Sequence, residues 1–254
     1  MTSIHRFYLP QLAAETNEVR LPDDEARHLS RVLRLQTGTQ VRVFDGQGHE
    51  REATVARTET RHVTVRLGCR VQTQAEFPVH VTLAVSMLNG RKLDAVVRDS
   101  TMLGVSVVAP LRTARSRGGE SLHDNARLVH RWHNIGVSSA KQCGRAVVPT
   151  IDVPVTFSQF VEASTASKGL RILLVEPTAT TSGGTITSLR ALDATQRPVT
   201  AIVAVGPEGG WSAGEIDRAQ AAGFTLVTLG SRTLRAVAVP TVMLSVLQFL
   251  WSDL

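Results

Sequence analysis

Apolar residues along this chain follow two different patterns. Up to about residue 70 they alternate with polar ones, as in strands with one face buried. From residue 79 onward they come in unbroken runs separated by helical stripes, as in parallel strands covered on both faces. In the first part, Arg6-Phe7-Tyr8-Leu9 predicts a short strand. Asp23 to Leu35 predicts a helix with acids in its first turn and bases later, as the helix dipole favours. Leu29, Val32 and Leu33 form its apolar stripe, and Arg27, Arg31 and Arg34 fall on its other side. Gln40–Phe44 and Arg51–Val55 alternate around the turn Asp45-Gly46-Gln47-Gly48, a predicted hairpin, and His62–Leu67 alternates again. The pattern fits a small barrel. Polar residues Gln72 to Glu76 then mark a boundary, dividing the chain into domains 1–72 and 73–254.

The second part reads as strand and helix in alternation. Val79–Val85 is a strand, a helix starting at Asn89 has the stripe Leu93, Val96, Val97 and Leu103, and Val105–Leu111 is the next strand, which makes a βαβ unit. An arginine-dense loop, Arg112 to Gly119, leaves that strand, and a helix from Asp124 to Cys143 follows. Residues 146–170 read as a connector around a short helix. Arg171–Val175 is a strand ending in Glu176-Pro177. Ala201–Val205 is a strand ending in Gly206-Pro207-Glu208-Gly209-Gly210, and Ser212 with Glu215 forms a capping box for a helix that stops at Gly223. Phe224–Leu229 is a strand ending in Gly230-Ser231-Arg232-Thr233-Leu234-Arg235, and Pro240 opens an apolar C-terminal helix. In open α/β sheets, ligands bind beyond the carboxyl ends of strands, which is where these loops fall. The glycine-rich turn is neither G-x-G-x-x-G nor a Walker sequence, so neither a dinucleotide nor a nucleoside triphosphate is favoured.

Charge adds a partner to this picture. The formal net charge is +6, and residues 79–145 carry 10 Lys and Arg against 4 Asp and Glu. Most of those bases are Arg, which suits bidentate phosphate contact, so a polyanion is expected. A solvated basic face would give the same count. Aromatics are 4% of the chain, too few for extensive base stacking. The two cysteines have no metal-ligand spacing, and no metal is expected. No apolar run approaches the roughly 20 residues of a membrane span, and Met1–Arg6 lacks a signal-like apolar core, so a cytoplasmic protein is expected.

The loops GPEGG and LGSRTLR, so close together, resemble those of the SPOUT class of RNA methyltransferases, and within it the RsmE group. Further pieces match that group. They are Leu103-Gly104-Val105, Pro110-Leu111 to Ser116, Arg131-Trp132 and Gln142-Cys143-Gly144-Arg145. The N-terminal order of RFY, HL-x-x-VLR and VFDGQG is similar to the group's PUA-like domain. The resemblance implies an α/β fold, with an N-terminal PUA-like β-barrel domain followed by a SPOUT domain whose C-terminal segment forms a trefoil knot. It implies S-adenosylmethionine as cofactor, methylation of uridine N3 in 16S ribosomal RNA of the small subunit, and a homodimer. Leu174, Glu176, Gly206, Pro207, Glu208, Gly209, Leu229, Gly230 and Leu234 are then the expected cofactor-binding residues. Arg235, with Arg232 second, is the cation that would stabilise charge developing on the uracil. Arg6, Arg27, Arg31, Arg34, Arg112, Arg115 and Arg117 are the expected RNA contacts.

The chain departs from the group at several acids. Val237 stands where the group has Glu in R-T-E-T-A, Met102 where it has Glu in A-T-E-L-G-V, and Ser138 opens a segment that is acidic in the group. These changes leave a second reading open, a catalytically weak RNA-binding paralogue that keeps the fold.

Overall fold

The computed structural model describes residues 4–12, 17–59, 62–116, 122–179, 185–192 and 196–251. The chain separates into two compact units. The first is Met1–Glu76 with Val137–Val148, and the second is Phe77–Gly136 with Pro149–Leu254. The polar stretch that suggests a boundary after residue 72 therefore lies at the end of the first unit. Residues 137–148, which the sequence places in the second domain, belong to the first.

In the first unit, strands β1 (Arg6–Tyr8), β2 (Glu18–Arg20), β3 (Gln40–Phe44), β4 (Glu50–Thr58) and β5 (Val63–Val71) form one sheet in the order β1-β3-β4-β5-β2. The β1–β3 pair is parallel and the others antiparallel. Among the described residues no pairing joins β1 to β2. Alternation puts Val41, Val43, Val55, Val63 and Val65 on the buried face, where Phe7, Leu21 and Leu29 complete the core. The single long helix expected over 23–35 is not one. The α-helix α1 (Asp23–Arg27) passes into a π-helical turn over His28–Val32, and Arg34 then sits at φ 54°. The wider turn changes the 3.6-residue register on which the apolar stripe was drawn. Leu29 is fully buried while Val32, assigned to the same stripe, is 67% exposed. Arg27, Arg31 and Arg34 are all exposed.

The second unit holds β6 (His80–Ser86), α2 (Lys92–Met102), β7 (Val107–Arg112), α3 (Leu122–Cys143, whose last residues belong to the first unit), β8 (Thr150–Ile151), β9 (Val155–Thr156) and α4 (Phe157–Ser164). It continues with β10 (Leu170–Leu174), β11 (Thr187–Ser188), β12 (Thr200–Val205), α5 (Ala213–Ala221), β13 (Thr225–Thr228) and α6 (Val239–Leu250). The sheet order is β11-β13-β10-β12-β6-β7-β8, with β9 also pairing β7, and every pair is parallel. Its two faces carry separate cores. Val81, Leu83, Val203, Val205 and Leu244 lie in one, and Ala84, Ala204, Leu173, Trp211 and Ile216 in the other. Residues 146–170, read as a connector, supply two short strands and α4, whose N-terminus Thr156 and Gln159 close with a capping box.

Strand order sets where a ligand can sit. β10 lies between β12 and β13 although it precedes both in the chain, so the carboxyl ends of β10, β12 and β13 lie side by side. The loops that leave those three ends converge.

Candidate active site

Each loop of this convergence has a local reason for its shape. After β12, Gly206 packs against the indole of Trp211, and a Cβ on Gly206 would come within 3.1 Å of that ring. Trp211 is buried, its Nε1 donates to the Leu174 carbonyl at 2.9 Å, and its ring meets Phe157 at 4.8 Å. The end of β12 is thereby tied to the end of β10. Gly210 closes the turn at φ 68°, a backbone angle that side chains disfavour, with the Glu176 carboxylate beside it. Ser212 and Glu215 then exchange both capping-box hydrogen bonds, as the sequence predicts. The free oxygen of Glu215 accepts from the Ala114 amide at 2.8 Å, and Arg115 Nη1 donates to the Gly209 carbonyl at 2.8 Å. The arginine loop after β7 is thus fastened to the glycine turn after β12.

A cavity of about 480 Å³ opens among these loops, within the range of small-molecule sites. Leu174 and Glu176 after β10, Gly206, Pro207 and Glu208 after β12, and Leu229 and Leu234 after β13 line it, and so do Arg232 and Arg235. Two of the expected cofactor residues are absent from the lining. A Cβ on Gly209 would face Arg115 at 3.3 Å, so the expectation that Gly209→Val would intrude on the cavity is corrected: it would press on Arg115 instead. Gly230 has open space around it, and its φ of 109° accounts for the glycine.

Lys92 and Val237 also line the cavity. Val237 is half-buried and packs against the core, so this wall is apolar where the RsmE pattern has an acid. Lys92 was not picked out in the sequence. Its signal was its place in the first turn after β6, the neighbour of β12, since every strand end on this side of a parallel sheet is a candidate. Lys92 Nζ meets Glu208 Oε1 at 2.8 Å. Desolvation alone would raise the Glu208 carboxyl, but the hydrogen bond from Lys92, the backbone amides of Glu208 and Asn89, and the Lys92 charge hold it below its ordinary value. Among the described residues, Arg232 and Arg235 are both exposed and form no side-chain ion pair.

The arginines expected to meet RNA divide sharply. Arg6 forms an ion pair with Glu50 at 2.8 Å, where the two side chains are 10% and 4% exposed. It also donates to the carbonyls of Ala140 and Arg145 and lies 4.6 Å from the Phe44 ring centre. Arg112 donates to the Pro154 carbonyl and to Asn125 Oδ1, which is on a buried side chain. Their donors are committed inside the fold, and both are withdrawn as phosphate contacts. Arg27 pairs with Asp24 on the surface; Arg31, Arg34 and Arg115 are exposed, and Arg117 lies outside the described residues.

The donor set fits S-adenosylmethionine. Leucines and valines offer an apolar wall for an adenine, strand-end loops offer backbone amides and carbonyls, and the ligand has no phosphate to be matched. Comparison with known proteins agrees. A family described as RNA methyltransferase domain matches residues 75–248, and one described as RNA methyltransferase PUA domain matches residues 21–68. The ribosomal RNA small subunit methyltransferase E of Synechocystis is 36% identical over 89% of this chain and 71% of its own length. The Neisseria gonorrhoeae protein of the same name, solved bound to S-adenosyl methionine, superposes with a TM-score of 0.86 at 29% identity, covering 99% of both chains. A Legionella pneumophila protein solved in complex with SAM gives 0.88 at 30% identity over 98% of both. The fold, the cavity and these matches together place the chain in the ribosomal RNA small subunit methyltransferase E family of RNA methyltransferases.

Proposed function

We propose that this protein transfers a methyl group from S-adenosylmethionine to N3 of a uridine in the 16S RNA of the small ribosomal subunit. The observation that carries this reading is the cavity at the ends of β10, β12 and β13, with Arg232 and Arg235 on its exposed side. Bound there, S-adenosylmethionine supplies an electrophilic methyl group on a sulfonium. Leu174, Leu229 and Leu234 provide the apolar wall for its adenine, Glu176, Gly206, Pro207 and Glu208 shape the rest, and Gly209 and Gly230 set the loops. The N3–H of uracil is a weak acid, so the reacting nitrogen needs its developing negative charge stabilised. Arg235, with Arg232 beside it in the loop, has the charge and exposure for that task. RNA phosphates are held by Arg27, Arg31 and Arg34 on the N-terminal PUA-like module, and by Arg115 on the second unit.

The reading extends to a SPOUT fold with a trefoil knot. Its support is that the chain leaves β13, passes the site through residues 229–238, and packs α6 against α2, which follows β6 on the far side of β10 and β12. It extends also to a homodimer. Val242 and Phe249, seven residues apart on α6, are 39% and 70% exposed and share a helix face. A ribosomal substrate implies a cytoplasmic site of action, and no helix among the described residues is long and apolar enough to cross a membrane. The test is incubation of the purified protein and S-adenosylmethionine with small subunits from a strain lacking the activity, followed by nucleoside mass spectrometry of the 16S RNA. Appearance of 3-methyluridine is expected; RNA binding without any methylated uridine overturns the proposal.

A further inference from the structure

Five charged side chains line the cavity, and two of them, Lys92 and Glu208, already form an ion pair at 2.8 Å. They come from different strand ends, the turn after β6 and the turn after β12, which the sheet holds adjacent. The pair is half-open to solvent, with side chains 49% and 33% exposed, so it is not a buried strut. It lies on a cavity whose other walls include Leu174, Val205 and Leu229. Glu208 Oε1 also accepts the Asn89 amide at 3.4 Å, and Lys92 opens α2, which has no side-chain N-cap.

An ammonium and a carboxylate held side by side complement a ligand that carries both charges on one carbon. Each charge of such a zwitterion meets its opposite, and the helix terminus at Lys92 adds a preference for the anionic end. We infer that Lys92 and Glu208 are the subsite for the amino-acid end of the cofactor, Lys92 taking the α-carboxylate and Glu208 the α-ammonium. This rests on the reading of the cavity as an S-adenosylmethionine site. The ion pair seen here is then the resting form of the subsite, and its partners are exchanged when the ligand enters. The depressed titration of Glu208 is consistent with a carboxylate kept ionised for this use. The adenine is left to the apolar walls, and Arg232 and Arg235 are left to the nucleic acid.

The test compares two ligands that share the adenosine and the thioether but differ in the amino acid. S-adenosylhomocysteine has it and 5′-methylthioadenosine lacks it. Calorimetry on the full chain is expected to show that the wild type prefers S-adenosylhomocysteine. Lys92→Met and Glu208→Gln should each cut its affinity roughly ten-fold, the scale of one lost charge-assisted contact, and leave methylthioadenosine binding unchanged. If both ligands weaken equally, the pair merely shapes the turn and the inference is overturned; unchanged affinities for both overturn it as well. A wild type that binds neither of them, nor S-adenosylmethionine, removes the underlying reading of the cavity instead.

Discussion

Trp211→Phe tests the tie between β10 and β12 on which the cavity depends. The indole is 7% exposed and donates to the Leu174 carbonyl at 2.9 Å, so phenylalanine removes the only donor the side chain has. Loss of a buried hydrogen bond costs about 1–2 kcal/mol. The smaller ring also leaves a gap beside Gly206 and Phe157, adding about 1 kcal/mol. A total of about 2–3 kcal/mol lowers Tm by about 4–12 °C in a domain of this size. Leu174 and Gly206 both line the cavity, so S-adenosylmethionine affinity should fall with stability. The assay is a melt followed by circular dichroism, with and without saturating ligand. Gly206→Ala is the companion variant. It keeps the indole, but its Cβ must displace the ring from 3.1 Å, so a smaller loss in the same direction is expected. A Trp211→Phe protein melting within about 1 °C of wild type, with unaltered ligand affinity, would refute the argument that this bond shapes the site.

Four further outcomes follow from the same geometry. Gly209→Val and Arg115→Ala act on one contact, so their effects on RNA affinity should be far from additive in a double-mutant cycle; strict additivity would separate them. Arg235→Ala should abolish methyl transfer while S-adenosylmethionine still binds, and Arg232→Ala should reduce transfer less; retained turnover in Arg235→Ala removes its assigned role. Val237→Glu places a carboxylate against the core, which should cost about 2–4 kcal/mol at pH 8 and less at pH 5, where the acid can be neutral; a melt with no pH-dependent loss contradicts the observed packing. Glu208 titrates below its ordinary value in the fold, so its pairing with Lys92 stabilises fully above the unfolded carboxyl's pKa and is lost as pH falls through the folded one. The small difference in Tm between wild type and Lys92→Met should therefore shrink on acidification from pH 7, and a constant difference would argue against the pair.

The second unit was readable because buried parallel strands leave a strong mark. Runs such as Ala201–Val205 and Val79–Val85 are apolar throughout, and the stops at Gly223 and the Ser212–Glu215 box are local chemistry that needs no tertiary context. What the pattern missed depends on partners far away in the chain. The π-helical turn at His28–Val32 shifts a helical register that the sequence alone predicts as continuous. The short strands β8 and β9 are defined by pairing with β7 more than by their own composition. Arginines were the hardest to judge. Arg6 and Arg112 stand in basic surroundings like those of Arg31 and Arg115, yet the first two are anchored by Glu50, Asn125 and backbone carbonyls. Which arginine is anchored depends on whether an acceptor 13 to 139 positions away folds back onto it, and a local pattern cannot hold that information.

The apolar Val237 changes how the proposed reaction is balanced. The charged side chains that line the cavity are Lys92, Arg232 and Arg235 against Glu176 and Glu208, an excess of one positive charge. A glutamate at 237 would cancel that excess; valine preserves it. Methylation at uridine N3 passes through a species with negative charge spread over the nitrogen and its flanking carbonyls, and a net cationic, partly desolvated rim lowers the energy of that species. Removal of the proton then requires no carboxylate at position 237, provided the anion is stabilised once formed and water can carry the proton away from an exposed arginine loop. With Lys92 engaged by Glu208, the cations left facing outward are Arg232 and Arg235, so they bear the electrostatic part of the reaction in this chain.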